Sequence, residues 1–446
     1  MIGVGLSATL SGGRKARVNL DPMPALDLNF AANRSLPADY GPTPSFSRAS
    51  TGTFFNSSGV LTSAAVNVPR FDHVYSGGSW VSRGLLVEEQ RTNSLQRSEE
   101  FSNAYWLNTG FSAVSANVAI SPDGLTTADK LVEDSVSSEK VIYKDGFNLT
   151  GPIVVSCFMK AAGRNYGIIQ PYSGNNGYKR YTVVFDLTNG SVTATRSVNS
   201  PTGTSYGSSY AGDGWWRCWV QMPDNWTNGT AHFSLSDVAS PSTWSGGGFP
   251  TYTGNGTSGI YLWGAQIEAG AFPTSYIPTT SASATRSADV CQITGTSFSS
   301  FWNPTEGSVA VEYIQIRPLN IGTIVGFFDG GANNALWDYG SEGTYLGNDY
   351  GPSFYIRSGG TITVENQTYP IGSGQQKYAA AFKANDFACS YLGRTVQTDS
   401  TVTIPTVNQL GIGKGPFPQY SFSGHIARLR YYPTRLSNAQ LQSLST

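Results

Sequence analysis

The feature that most constrains this chain is its rhythm. Short apolar and aromatic runs of strand length recur along it, each cut off by turn residues before it reaches helical length. Ile153-Val154-Val155-Ser156-Cys157-Phe158-Met159-Lys160, Tyr181 to Asp186, Trp215 to Met222 and Ile260 to Ile267 are the clearest. Asn175-Asn176-Gly177, Thr188-Asn189-Gly190 and Gly212-Asp213-Gly214 separate them, and these residue types accept the backbone of tight turns. Composition agrees: 13% of residues are charged, and there are 51 Gly, 24 Tyr, 22 Phe and 10 Trp. That mixture favours pleated, turn-rich structure over helices, so the chain reads as all-β.

At 446 residues the chain exceeds what one hydrophobic core usually supports. The stretch Gly259 to Val290 divides it. Its first half is dense enough in apolar and aromatic residues for a buried strand, and its second half turns to Pro, Ser, Thr and Ala, the composition of an exposed, semi-rigid connector. Three regions follow: an N-terminal arm and attachment region (1–100), a jelly roll (101–288) and a second β-sandwich (289–446).

Charge and cysteine usage exclude several functions. There are 28 basic and 29 acidic residues, and no basic run is longer than a pair such as Arg14-Lys15, so nucleic acid is not an expected partner. Cys157, Cys218, Cys291 and Cys389 are far apart and lack thiolate-ligand spacing; they read as buried free cysteines. The first residues place the basic pair after a short apolar run, the reverse of a secretory signal, and no apolar stretch approaches the ~20 residues of a membrane helix. A soluble protein made in a cytoplasm is expected.

Residues 1 to 44 carry one short strand signal, Leu26-Asp27-Leu28-Asn29-Phe30, and too little apolar surface to fold alone, so they are expected to dock on a neighbour. Asn56-Ser57-Ser58-Gly59 and Ser76-Gly77-Gly78-Ser79 mark two hairpins, and Gly84 to Glu89 a strand ending in charges. The blocks FSRASTGTFF, VPRFDH, GLLVEEQRTN and SEEFSNAYW, in this order, resemble the modular tail and appendage proteins of tailed bacteriophages. SPDGLTTADKLVED, VVSCFMKAAGRN, GDGWWRCWV and YLWGAQIEAGAFPTSYIPT are similar to landmarks of that family's carbohydrate-binding-module-like jelly roll. The stretch from Phe301 to Tyr313 and the closing LGIGKGPFPQYSFSGHIARLRYYPTRLSNAQLQSL resemble a laminin-G or concanavalin-A-like domain. The resemblance spans residues from about 26 to the end and implies an architecture, not a defined ligand. Ser437, with Gln440 three residues on and Leu436 facing Leu441, forms a capping signal for a final docked helix.

One strand can be read by face. In Trp215 to Met222, the residues Trp216, Cys218, Val220 and Met222 share one side and form a core face. Trp215, Arg217, Trp219 and Gln221 share the other, where two indoles flank a guanidinium, the make-up of a sugar platform or of a face covered by neighbouring structure. Tyr166, Tyr172, Tyr178, Trp226, Trp244 and Tyr252 fall in or beside Gly-, Asn- and Ser-rich loops, where they suit either a glycan site or packing against another chain.

No catalytic constellation is legible. His73, His232 and His425 lie in three different segments with no partner motif and read as isolated structural histidines; Gly411 to Gly415 lacks phosphate-loop spacing; the strand-borne carboxylate pattern of laminarinase-type glycosidases is absent, with Asp338 and Glu342 a weak substitute. No cofactor is expected beyond a structural calcium at a sandwich rim, for which Asp329, Asp338, Asn348 and Asp349 would be the ligands. The resemblance therefore implies a non-enzymatic phage virion protein, a tail fibre, spike or appendage subunit. It would be anchored to other virion proteins through its N-terminal region, form a homo-oligomer, a trimer as the resemblance implies for fibres, and hold host surface polysaccharide at the virion surface. The alternatives are a capsid- or tail-decorating protein whose sandwiches bind protein, and a polysaccharide depolymerase.

Overall fold

The computed structural model describes residues 22–174, 178–199, 203–315, 322–339, 342–345, 348–350, 353–367 and 374–446. The Asn175-Asn176-Gly177 turn and the N-terminal residues read for a signal lie outside them. The described chain is nearly all β and forms two sandwiches of antiparallel strands.

The first sandwich is the jelly roll. One sheet runs Ser205–Tyr210, Trp216–Met222, Ile153–Ala162, Gly259–Ala269, Ala128–Glu133, Phe111–Ala119. The other runs Val192–Val198, Lys179–Asp186, Tyr166–Ser173, Trp226–Ser236, Val141–Leu149, Leu107–Thr109. Strand periodicity explains the core between them: Val155, Cys157 and Met159 from one sheet meet Ile169, Val183 and Phe233 from the other, all fully buried. Cys157 and Cys218 sit opposite each other as buried free thiols.

The second sandwich is built from both ends of the chain. In one sheet Gly424–Tyr432 is flanked by Glu306–Gln315 on one side and by Ser79–Val87 on the other, with Arg70–Ser76 beyond. Leu26–Leu28 also pairs with Gly424–Tyr432, Leu26 opposite Tyr431 and Leu28 opposite Leu429. In the facing sheet Ser45–Ser47 pairs with Val290–Thr294. Leu26, Leu28, Phe30, Leu85 and Val87 share one buried core with Val309, Phe327, Leu410 and Tyr431. Residues 26–93 are thus not a separate attachment unit preceding the sandwiches. Their apolar face is too small to close a core alone, so it is completed by strands that arrive after residue 290. The jelly roll is an insertion, and the pairing of Arg91–Asn93 with Ala284–Arg286 closes its neck.

The connector also differs from the exposed spacer expected. Phe272, Thr274, Tyr276 and Ile277 are buried, and Arg286 and Asp289 belong to an ionic cluster beneath them. Arg48 Nη1 lies 3.0 Å from Asp289, Arg70 bridges Glu88 (2.7 Å) and Asp289 (2.5 Å), and Arg286 reaches Glu88 at 3.2 Å. Burial alone would raise the Glu88 carboxyl, but the Arg286 and Arg70 guanidiniums hold it well below the usual carboxylate range. The backbone N–H and hydroxyl of Ser275 both donate to Glu88 at 2.7 Å. The five members come from four separate stretches of sequence: Arg48 from FSRAS, Arg70 from VPRFDH, Glu88 from LLVEEQ, and Arg286 and Asp289 from TRSAD. Asn93 of the QRTN block does the equivalent on the neutral side, donating to Ala265 and Ile277 carbonyls and accepting from Ile267 N–H. The final helix, Asn438–Leu444, carries the expected capping box, with Leu436 and Leu441 buried in one cluster.

Candidate functional site

The proposed sugar platform on Trp216–Met222 is covered. Trp216, Cys218 and Val220 do pack on the core side and Met222 is fully buried, but Trp215 is 1% exposed, packed with Phe158, Trp263 and Tyr276, and its Nε1–H donates to the Ile120 carbonyl at 2.9 Å. Arg217 donates to the Thr274 carbonyl (2.6 Å) and the Ser156 hydroxyl (3.2 Å). Gln221 is buried and accepts from Ser205 at 2.9 Å, and Trp219 is half-buried beside Gly207 of the neighbouring strand. Trp215 and Arg217 are covered by the connector, which supplies Tyr276 and Thr274, and Trp219 and Gln221 lie against the neighbouring Ser205–Tyr210 strand. The sequence held no sign that the connector folds back.

The calcium candidates are also dispersed. Asp329 accepts from Gly331 N–H and Asn334 within its own turn, both at 2.9 Å. Asp338 is buried inside the sandwich rather than at a rim, where burial pushes its carboxyl up to about 7. The side chains of Asn348 and Asp349 lie outside the described residues, and among the described residues no three carboxylates, imidazoles or thiols gather to hold a metal.

The open site of the jelly roll is on its other sheet. Along Trp226–Ser236, Ala231, Phe233 and Leu235 point into the core, so Thr230, His232 and Ser234 point outward. The same alternation turns Tyr143 outward from Val141–Leu149, Gln170 and Tyr172 from Tyr166–Ser173, and Arg180 and Thr182 from Lys179–Asp186. Register then aligns them: His232 sits opposite both Tyr143 and Gln170, and Tyr172 opposite Arg180 and Thr230. Together with Gly247 and Phe249 from the loop after Ser236 they line a groove of about 340 Å³, with Glu139 and Asp145 also in its wall.

The groove is aromatic and polar at once. The Tyr143 and His232 rings are 5.5 Å apart, Tyr172 meets His232 edge-on at 6.3 Å, and Tyr178, largely exposed, stacks on Tyr172 at 6.4 Å. His232 Nδ1 is 3.0 Å from the Gln170 carbonyl. A carbonyl only accepts, so Nδ1 carries the proton and Nε2 is an acceptor. Burial pushes the imidazole down to about 4, so the ring is neutral at neutral pH. Gln170 Nε2 donates to Thr182 (2.7 Å) and to the Gly247 and Gly248 carbonyls (3.2 Å each), and Arg180 donates to Gly246 at 3.0 Å. These bonds fix the loop against the sheet. Of the loop aromatics, Tyr172 and Tyr178 meet here, whereas Trp226 and Tyr252 are buried elsewhere. Tyr143, His232 and Arg180 were missed, although their alternation with core residues was the readable signal.

Neither a family model nor a curated protein sequence matches this chain. Among solved structures, the CBM40 module of the Ruminococcus gnavus IT-sialidase, bound to α2,3-sialyllactose, is similar at 14% identity and a TM-score of 0.28, over 32% of this chain and 84% of that one. Streptococcus pneumoniae NanB sialidase, in its K499G mutant, is similar at 14% identity and a TM-score of 0.27, over 35% of this chain and 26% of that one. Domain 4 of AbnA, a GH43 extracellular arabinanase from Geobacillus stearothermophilus, in complex with arabinotriose, is similar at 13% identity and a TM-score of 0.29, over 40% of this chain and 83% of that one. No helix among the described residues is long and apolar enough to cross a membrane.

Proposed function

We propose that this chain is a virion surface protein of a tailed bacteriophage, a tail fibre, spike or appendage subunit, that holds host surface carbohydrate in the groove of its jelly roll and does so without cleaving it. The observation that carries the carbohydrate part is the groove itself: tyrosine faces for stacking on apolar sugar C–H surfaces, beside a neutral imidazole acceptor and a guanidinium placed for hydroxyls. The virion part rests on the ordered sequence blocks that resemble phage appendage proteins, and with it the expectation of a homo-oligomer.

Titration of the full chain with bacterial surface oligosaccharides, alongside sialyllactose and arabinotriose, tests the binding. At least one should bind, and Tyr172→Ala should weaken it about tenfold, the effect of losing one stacking face of about 1.4 kcal/mol. A Trp219→Ala variant should bind as the parent does. Undiminished binding by Tyr172→Ala would exclude this groove, and release of reducing ends during the titration would favour a depolymerase instead.

A further inference from the structure

We propose a second carbohydrate-binding pocket at the junction of the two sandwiches, shaped for a single saccharide ring and separate from the jelly-roll groove. A cavity of about 300 Å³ opens between the Arg70–Ser76 and Ser79–Val87 hairpin, the Ser205–Tyr210 strand of the jelly roll and the connector at Pro273–Tyr276. That is the small end of ligand sites, the size for one ring rather than a chain.

Its upper wall is aromatic and bridges both sandwiches. Phe55 stacks on Trp80 at 5.1 Å, Tyr75 meets Trp80 at 5.8 Å, and Tyr210 from the jelly roll meets Tyr75 at 4.8 Å. Tyr75 is 43% exposed. The deeper lining is polar and brings together two histidines that the sequence keeps 352 positions apart. Asp72 accepts from Phe55 N–H (2.7 Å) and from His425 Nε2–H (2.8 Å), which leaves His425 Nδ1 as a bare acceptor. His73 Nδ1–H donates to the Phe55 carbonyl at 3.1 Å, which leaves His73 Nε2 as a second. Both histidines are more than nine-tenths buried and these two nitrogens have no accessible surface, so the polar groups a ligand meets in this lining are the Asp72 carboxylate and the Ser209 and Tyr210 hydroxyls.

A carboxylate acceptor and two hydroxyls under an aromatic wall point to the ligand class. An apolar molecule would strip water from Asp72 without replacing its hydrogen bonds, and a carboxylate or phosphate would face the negative charges of Asp72 and Glu88 in the lining. Hydroxyl groups both donate and accept, and a sugar ring adds an apolar face for Trp80 and Tyr75.

The test is saturation-transfer NMR and calorimetry on the full chain with D-glucose, D-galactose, D-mannose, L-rhamnose and N-acetyl-D-glucosamine. At least one should bind, with affinity reduced tenfold or more by Tyr75→Ala and unchanged by Tyr172→Ala. Ser209 lies exposed on the pocket rim, so Ser209→Trp should block the mouth and abolish binding without removing any packed side chain, the melting temperature staying that of the parent. Absence of binding by all five sugars, or binding that survives Tyr75→Ala and Ser209→Trp, overturns the pocket. Loss only in Tyr172→Ala would assign the sugar to the groove and overturn it equally.

Discussion

His232 and Asp338 titrate abnormally for the same reason, burial, and with opposite consequences. Burial lowers His232 to about 4, so between pH 4 and about 6.5 the unfolded chain takes up a proton that the folded chain refuses, and stability falls as the solution is acidified through that window. His232→Phe keeps the ring and removes the proton site, so the parent should lose stability relative to this variant as the pH drops from 6.5 to 4. Denaturant midpoints across that range check it; parallel profiles would show that the imidazole is not desolvated. Asp338 is raised to about 7. The folded protein keeps its proton while the unfolded chain releases it above about 3.8, so this contribution is complete at low pH and lost as the pH rises through 7. Asp338→Asn retains an oxygen for the Val325 N–H, which donates to Asp338 at 2.7 Å, and should be more stable than the parent at pH 8 but not at pH 4. An equal effect at both pH values would contradict a protonated carboxyl in the core.

Among the elements, the buried ionic cluster under the connector joins four separated pieces of sequence. Arg70→Met leaves Glu88 and Asp289 without their shared guanidinium and should cost about 3–5 kcal/mol of unfolding free energy. A loss below about 1 kcal/mol would mean that Arg48 and Arg286 compensate. This cluster also measures what could be read in advance. The blocks that carry Arg48, Arg70 and Glu88 were conspicuous as text, and their charges stood out in a chain poor in charge, yet nothing local says that they converge. Strand positions followed from alternation and turn residues, and the capped last helix followed from Ser437 and Gln440, because each is decided within a few residues. The sugar platform failed because the two faces of Trp216–Met222 look alike in composition, and which is covered depends on a connector 50 residues downstream. The His425–Asp72 contact was equally hidden: it exists only once Ser79–Val87 pairs with Gly424–Tyr432.

For the whole molecule, the two sandwiches are not independent beads. Leu61, from the N-terminal hairpins, packs in one cluster with Phe158 and Trp215 of the jelly roll and Tyr276 of the connector. Thermal unfolding should therefore show one calorimetric transition in which both sandwiches melt together; two separable peaks would contradict this coupling. The topology also has a meaning in time. Asp27 forms its ion pair with Arg428, 401 residues further on. On a ribosome the first strands emerge with their hydrogen-bonding edges unanswered and stay so while the whole jelly roll is synthesised and closes its own core. These strands are thus made before the jelly roll and finished after it, and until Gly424–Tyr432 arrives their open edges are exposed to pairing with other chains.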